Sequence, residues 1–138
     1  MFPIAKEAAL KIKEITYIHA EGYSGGALKH GPFALLDDNS IVILLIDEKT
    51  REAMINTYQE IRSRGTYCYI ISELDMDMYI GNTSLERQKT LVLNIPKNSY
   101  YQEILAIVAI QYISYLLAIA KDINPDKPRN LAKVVTVQ

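Results

Sequence analysis

An α/β fold built on a parallel sheet is what this sequence predicts, and three observations predict it. Ile41-Val42-Ile43-Leu44-Leu45-Ile46 is a short all-apolar run between Asp37-Asp38-Asn39 and Asp47-Glu48, the pattern of a strand buried on both faces. Thr50 to Arg64 reads as a helix ending near Gly65, and Tyr67 to Ile71 is a second buried run, so strand, helix and strand follow at crossover spacing. Leu91-Val92-Leu93-Asn94-Ile95, ended by Pro96, supplies a third strand ahead of a long helix, Tyr100 to Lys121, placed to cover the sheet.

The remaining elements follow in order. Ile4, Ala8, Ile12, Ile15 and His19 recur at helical intervals and predict an amphipathic first helix, with Lys6, Glu7 and Lys13 on other faces. A shorter second helix is expected from Ala20 toward Lys29, stopped by Gly31 and Pro32, with His30 in its last turn, where the helix dipole favours a cationic imidazole. Leu74 to Gln88 is polar and without a period, and reads as loop with one helical turn at most. Ile104 to Ala120 is interrupted by Gln111 and Ser114 and falls short of the roughly 20 apolar residues of a spanning helix, so it reads as a buried core helix. Its Tyr101, Tyr112 and Tyr115 read as core or subunit contacts. Only three strands are convincing, and the first helix has no strand ahead of it to cross over from.

Composition narrows the function. The 138 residues, 49% hydrophobic and 22% charged, fit one domain with enough apolar material for a core. A formal net charge of -1, with no Lys/Arg patch interleaved with aromatics, argues against a nucleic-acid partner. Cys68 is the single cysteine, so no intrachain disulfide can form, and its strand setting reads as a buried thiol. No secretory signal is visible at Met1-Phe2-Pro3-Ile4-Ala5-Lys6-Glu7, and a cytoplasmic address is expected. Neither a Walker sequence nor a Gly-x-Gly-x-x-Gly follows a strand, and Gly22, Gly25 and Gly26 make only a weak phosphate loop, so no cofactor, metal or nucleotide is expected.

Three places carry residues suited to chemistry. The carboxyl ends of parallel strands are the default ligand position, which points to the loops after Ile46, Ile71 and Ile95. Lys11 and Glu14 share one face of the first helix; taken alone they make an ordinary surface ion pair worth less than about 1 kcal/mol. Beyond Pro125 and Pro128, which stop the helical pattern, the ending carries cations and a small-apolar stripe rather than the composition of a disordered tail. Most lysines near a terminus are solvated. Lys133, between Ala132 and Val134, would be partly desolvated if the tail docks, and desolvation lowers an amine's pKa toward the range where it attacks a carbonyl.

Pro128-Arg129-Asn130-Leu131-Ala132-Lys133-Val134-Val135-Thr136-Val137, the block Ala9 to Gly22 and the string Leu28-Lys29-His30-Gly31-Pro32 resemble, in order, the closing portion of the glucosamine-6-phosphate synthase family. The isomerase half of that family consists of two sugar isomerase (SIS) domains. The resemblance implies a three-layer αβα sandwich of flavodoxin-like type with a five-stranded parallel sheet, its opening strand lying upstream of Met1. It divides the chain into a SIS domain over 1–121 and a tail over 122–138. It implies an enzyme that makes glucosamine 6-phosphate from fructose 6-phosphate and glutamine. Lys11 and Glu14 would then belong to the isomerase site, Glu14 as the group shuttling a proton between sugar carbons one and two. His30 would assist ring opening in the neighbouring subunit's site, making a homodimer part of the mechanism, and Lys133 would form the imine. Arg129 and Asn130 would fix the tail, and with Ala132 they are the expected substrate-binding residues.

Ala27 stands where that family carries a glutamate. The loop that holds the sugar phosphate and the cysteine that hydrolyses glutamine belong to other domains of the family, so the chain alone is expected to be inactive. Two rivals stand beside this reading: a two-SIS-domain glucosamine-6-phosphate deaminase or isomerase, and a non-catalytic module that binds a phosphosugar.

Overall fold

The three apolar runs form one parallel sheet. A computed structural model of the chain describes residues 1–81 and 84–131. In chain order it comprises α1 (Phe2–Thr16), two 3-10 turns (Gly25–His30 and Pro32–Leu35), β1 (Ile41–Ile46), α2 (Arg51–Arg62), β2 (Tyr67–Ser72), α3 (Ser84–Gln88), β3 (Thr90–Asn94) and α4 (Gln102–Ala120). The strands lie in the order β1, β2, β3, with Ile41 opposite Tyr67 and Cys68 opposite Thr90. Among the described residues the sheet has three strands, against the five that the resemblance implies.

Strand alternation sorts the side chains into two layers. Leu44, Ile46, Cys68 and Ile70 join Leu28, Ile55, Tyr58 and Ile61 under α2 and the first 3-10 turn. Leu45 and Ile71 turn the other way and meet Ala8 of α1 and Ile110 of α4. The result is helix, sheet, helix, with Ile61, Ile70 and Ile110 fully buried. Burial on both faces holds for the carboxyl halves of β1 and β2 only: Ile46 and Ile71 are each 1% exposed, whereas Ile41 stands at the rim.

α1 and α4 run side by side in the same direction. The Met1 amino group lies 3.8 Å from Glu103 at the start of α4, and the Lys121 ammonium donates to the Thr16 carbonyl, 2.7 Å away, where both helices end. α1 stops at Thr16, short of the His19 that its periodicity reaches. The Thr16 hydroxyl donates back to the Ile12 carbonyl and accepts from the Ile18 amide, and Tyr17 turns left-handed at φ 59°.

Two expectations are corrected. The helix predicted from Ala20 to Lys29 is irregular chain followed by the short turn Gly25–His30. Gly22 lies against the α1 backbone so closely that a Cβ there would stand 2.6 Å from the Ala5 carbonyl, and the chain is set by that approach rather than by helical propensity. α4 is not a buried core helix. It buries one stripe, Ala106, Ile110, Ser114 and Ala118, while Ile104, Val108, Tyr112, Tyr115, Leu116 and Ile119 remain exposed on its other side. By length and composition this helix is apolar enough to cross a membrane; here its buried stripe packs on α1 and the sheet.

Candidate active site

α1 sets two faces by its own spacing. Ala8 and Ile12 point into the core, and Glu7, Lys11 and Glu14 gather on the outer side at i, i+4 and i+7. The Lys11 ammonium lies 2.7 Å from a Glu14 carboxylate oxygen and 3.5 Å from Glu7. The two side chains of the closer pair are half-buried, 30% and 29% exposed. The hydrogen bond from Lys11 to Glu14 raises the lysine's pKa above its ordinary value, partial burial opposing it and the Glu14 and Glu7 charges reinforcing it. Lys11 is therefore a fixed cation rather than a nucleophile, since an amine must lose its proton before it can attack a carbonyl. Its chemistry is to hold a carboxylate in place in a sheltered position.

His30 stands elsewhere. It ends the turn Gly25–His30, exposed, with Gly31 at φ 140° closing the turn and the Lys29 ammonium 2.7 Å from Glu60 of α2. That places it with the α2 layer, across the sheet from Lys11 and Glu14. Among the described residues no hydrogen bond or ion pair joins it to them. The dipole argument offered for its charge loses its helix, because a 3-10 turn of six residues replaces it.

The ending approaches α1 by a defined route. After α4, Asp122 turns left-handed at φ 55°, its amide donating to the Ile119 carbonyl and the Ile123 amide to Ala118, a Schellman closure. The chain then crosses to the end of α1, where the Arg129 amide donates to the Tyr17 hydroxyl at 2.8 Å and the guanidinium stacks 4.2 Å from the Tyr17 ring centre. Asn130 follows at φ 60°. Ala132 and Lys133 lie outside the described residues. Tyr17 is the residue that sequence reasoning passed over. It sits inside the block Ala9 to Gly22, but nothing local ties it to a partner 112 positions away.

The position favoured by strand topology is also present. A hollow of about 310 Å³ opens at the strand carboxyl ends, lined by Asp47, Glu48, Glu73, Lys97, Asn98 and Gln102 among others. Two of its carboxylates are already engaged: Asp47 accepts from the Thr50 amide and hydroxyl, and Glu73 from the Glu48 amide. Lys11, Glu14 and His30 do not line it. Cys68 is buried, and burial pushes its thiol up to about 12, which leaves it inert.

A family model described as SIS domain matches residues 1–121. The chain is 44% identical, over its whole length, to the glutamine–fructose-6-phosphate aminotransferase [isomerizing] of Wigglesworthia glossinidia brevipalpis. It is 40% identical over 99% of its length to the enzyme of the same name from Methanosarcina mazei. It spans about a fifth of these relatives, 22% of each. Among solved structures, the C-terminal domain of glucosamine-fructose-6-phosphate aminotransferase from Francisella tularensis superimposes with a TM-score of 0.80 at 31% identity, over 91% of this chain and 34% of that one.

Proposed function

The chain belongs to the SIS domain family, and from that premise we propose that it forms the carboxy-terminal isomerase portion of a glutamine–fructose-6-phosphate aminotransferase. The observation that carries the reading is the half-buried Lys11–Glu14 pair, 2.7 Å apart on α1, in a chain that matches such enzymes along its whole length.

The reaction assigns each residue a task. The Lys133 amine adds to the carbonyl at C2 of open-chain fructose 6-phosphate, water leaves, and an imine forms. Ammonia released from glutamine exchanges with the lysine, which departs as the free amine and leaves a C2 imine. Glu14 then takes a proton from C1 while the imine nitrogen gains one, giving the 1,2-enolamine, and returns a proton to C2 as the C1 hydroxyl gives up its own, so that the net exchange is hydroxyl proton for amine proton and the product is the aldehyde of glucosamine 6-phosphate. One carboxylate suffices because it both accepts and returns the proton, with Lys11 holding it in place. Arg129 and Asn130 fix the tail, and both are assigned with Ala132 to substrate binding. His30 faces the site of a second subunit, a reading that its place across the sheet from Glu14 supports.

The partners follow from the same reading: a preceding SIS domain, a glutaminase domain and a second copy, in the cytoplasm. The exposed apolar side of α4 supports a covered surface there, since solvent is a poor neighbour for Ile104, Val108 and Leu116 together. The chain alone is expected not to turn over fructose 6-phosphate. The test is exchange of the C1 hydrogen of fructose 6-phosphate for deuterium, followed by NMR in a mixture of this chain with the preceding SIS domain and an ammonium salt. Exchange that Glu14→Gln abolishes supports the assignment; exchange that survives the substitution removes Glu14 from it.

A further inference from the structure

We propose that Lys121, the residue that caps α4, is a positioning residue for the isomerisation: by holding the last carbonyl of α1 it fixes the turn that carries Glu14. The proposal rests on the assignment of Glu14 as the acid–base group.

Glu14 stands two residues from the end of α1. The last carbonyls of a helix have no partner within it, and the final turn frays unless other groups take them. Three fastenings hold this turn. Two are local: the Tyr17 amide donates to the Lys13 carbonyl at 3.2 Å, and the Thr16 hydroxyl donates to the Ile12 carbonyl while accepting from the Ile18 amide. The third comes from 105 positions away, the Lys121 ammonium donating to the Thr16 carbonyl at 2.7 Å. A cation at this end of a helix also meets the negative pole of its dipole.

Lys121 is itself held in place. Its amide donates to the Leu117 and Ala118 carbonyls, Asp122 turns left-handed at φ 55°, and the Ile123 amide returns to Ala118. No Lys, Arg or His lies between Lys97 and Lys121, so this is the one cation that α4 and its cap bring to α1. The bond joins two packed helices: Thr16 and Ala118 are fully buried, whereas Lys121 is exposed and belongs to neither apolar cluster.

Lys11 cannot do this work alone. It ties Glu14 to the turn before it, and a pair on one helix moves with the end of that helix. Lys121 ties that end to α4. Misplacing an acid–base group by 1 Å can slow a reaction by about 10²-fold, so partial fraying of this turn is expected to appear in the rate. Lys121 acts through Glu14 and touches no reacting atom.

The test is kcat and KM for fructose 6-phosphate in the complete aminotransferase polypeptide, beside hydrogen exchange of the segments Glu14–Ile18 and Tyr67–Ser72 read by mass spectrometry. Glu14→Gln comes first: full activity without that carboxylate refutes the acid–base assignment, and the proposal with it. A slow Glu14→Gln variant keeps the assignment, and Lys121→Met, which removes the donor itself at an exposed position, then decides. It is expected to lower kcat about tenfold with KM within about twofold, to leave glutamine hydrolysis unchanged, and to speed exchange in Glu14–Ile18 but not in β2. Lys121→Arg keeps a cationic donor and is expected to stay within about threefold of the parent. In the Glu14→Gln background Lys121→Met is expected to cost nothing further. A kcat within about twofold of the parent in Lys121→Met overturns the proposal and leaves the Glu14 assignment standing. So does a loss that recurs in full in the Glu14→Gln background, which would mean that Lys121 acts elsewhere, or one accompanied by faster exchange in β2, which would mark a general loosening of the fold.

Discussion

The two ends of this molecule make different offers. At the carboxyl ends of the strands lies an open hollow of about 310 Å³ lined by Asp47, Glu48, Glu73 and Lys97, where ligands of open parallel sheets usually sit. Towards the other end, where α1 and α4 finish, Lys11 pairs with Glu14 on α1 and Arg129 meets Tyr17 just past that helix. Shape points to one end and chemistry to the other. On the reading proposed above, a domain contributing to a composite site need not use its own crevice. It can present a helix carrying an acid–base group to a pocket that another domain supplies.

The sharpest way to break this comparison is to remove one carboxylate from each end. Glu14→Gln is expected to lower isomerisation in the assembled enzyme by about 10² or more, the scale of a lost general acid–base group. Glu73→Gln, in the hollow, is expected to leave it within about twofold, and steady-state kinetics on both variants decides. An equal or larger loss from Glu73→Gln would move the site to the hollow.

A second probe asks how firmly the α1 end is built. Gly22→Ala puts a methyl 2.6 Å from the Ala5 carbonyl, against backbone that cannot yield, and is expected to destabilise the fold by about 1–3 kcal/mol in urea melts. Gly26→Ala meets nothing within 4 Å and is expected to change stability by less than about 0.5 kcal/mol. Equal effects would mean that the close approach of Gly22 to α1 is not a constraint. Lys121→Met removes the donor to the Thr16 carbonyl and is expected to cost about 1 kcal/mol, read in the same way.

The smallest effect is electrostatic. Lys11 has a pKa raised above the ordinary lysine value, first by its hydrogen bond to Glu14. Its contribution to stability is therefore present in full below the unfolded pKa and lost as pH rises through the folded one. An NMR titration of its side chain should show a midpoint above 10.5 that Glu14→Gln lowers. A midpoint unmoved by that substitution would dissolve the pair.

How much of this could be read from the sequence depended on whether the cause was local. Ile41–Ile46 is a strand in both readings because a continuous apolar run between acidic turns has few other uses, and the parallel pairing followed from the helix between two such runs. Lys11 and Glu14 were legible as neighbours from helical spacing alone. Three features were not legible, each set by something distant. Periodicity carried α1 on to His19, whereas the left-handed turn at Tyr17 ends it. The expected helix after Ala20 gives way to a loop because Gly22 must lie on Ala5. Apolar residues surround α4, which predicts burial, but apolarity on every side does not tell which stripe the protein covers.

The measurement that tests the central claim most directly is peptide mass mapping after borohydride reduction of this chain with fructose 6-phosphate, alone and mixed with the preceding SIS domain. A hexitol phosphate adduct on Lys133 in the mixture, and not in the chain alone, is the predicted result. A mixture whose domains are shown to associate, yet which yields no adduct on Lys133, would contradict the account.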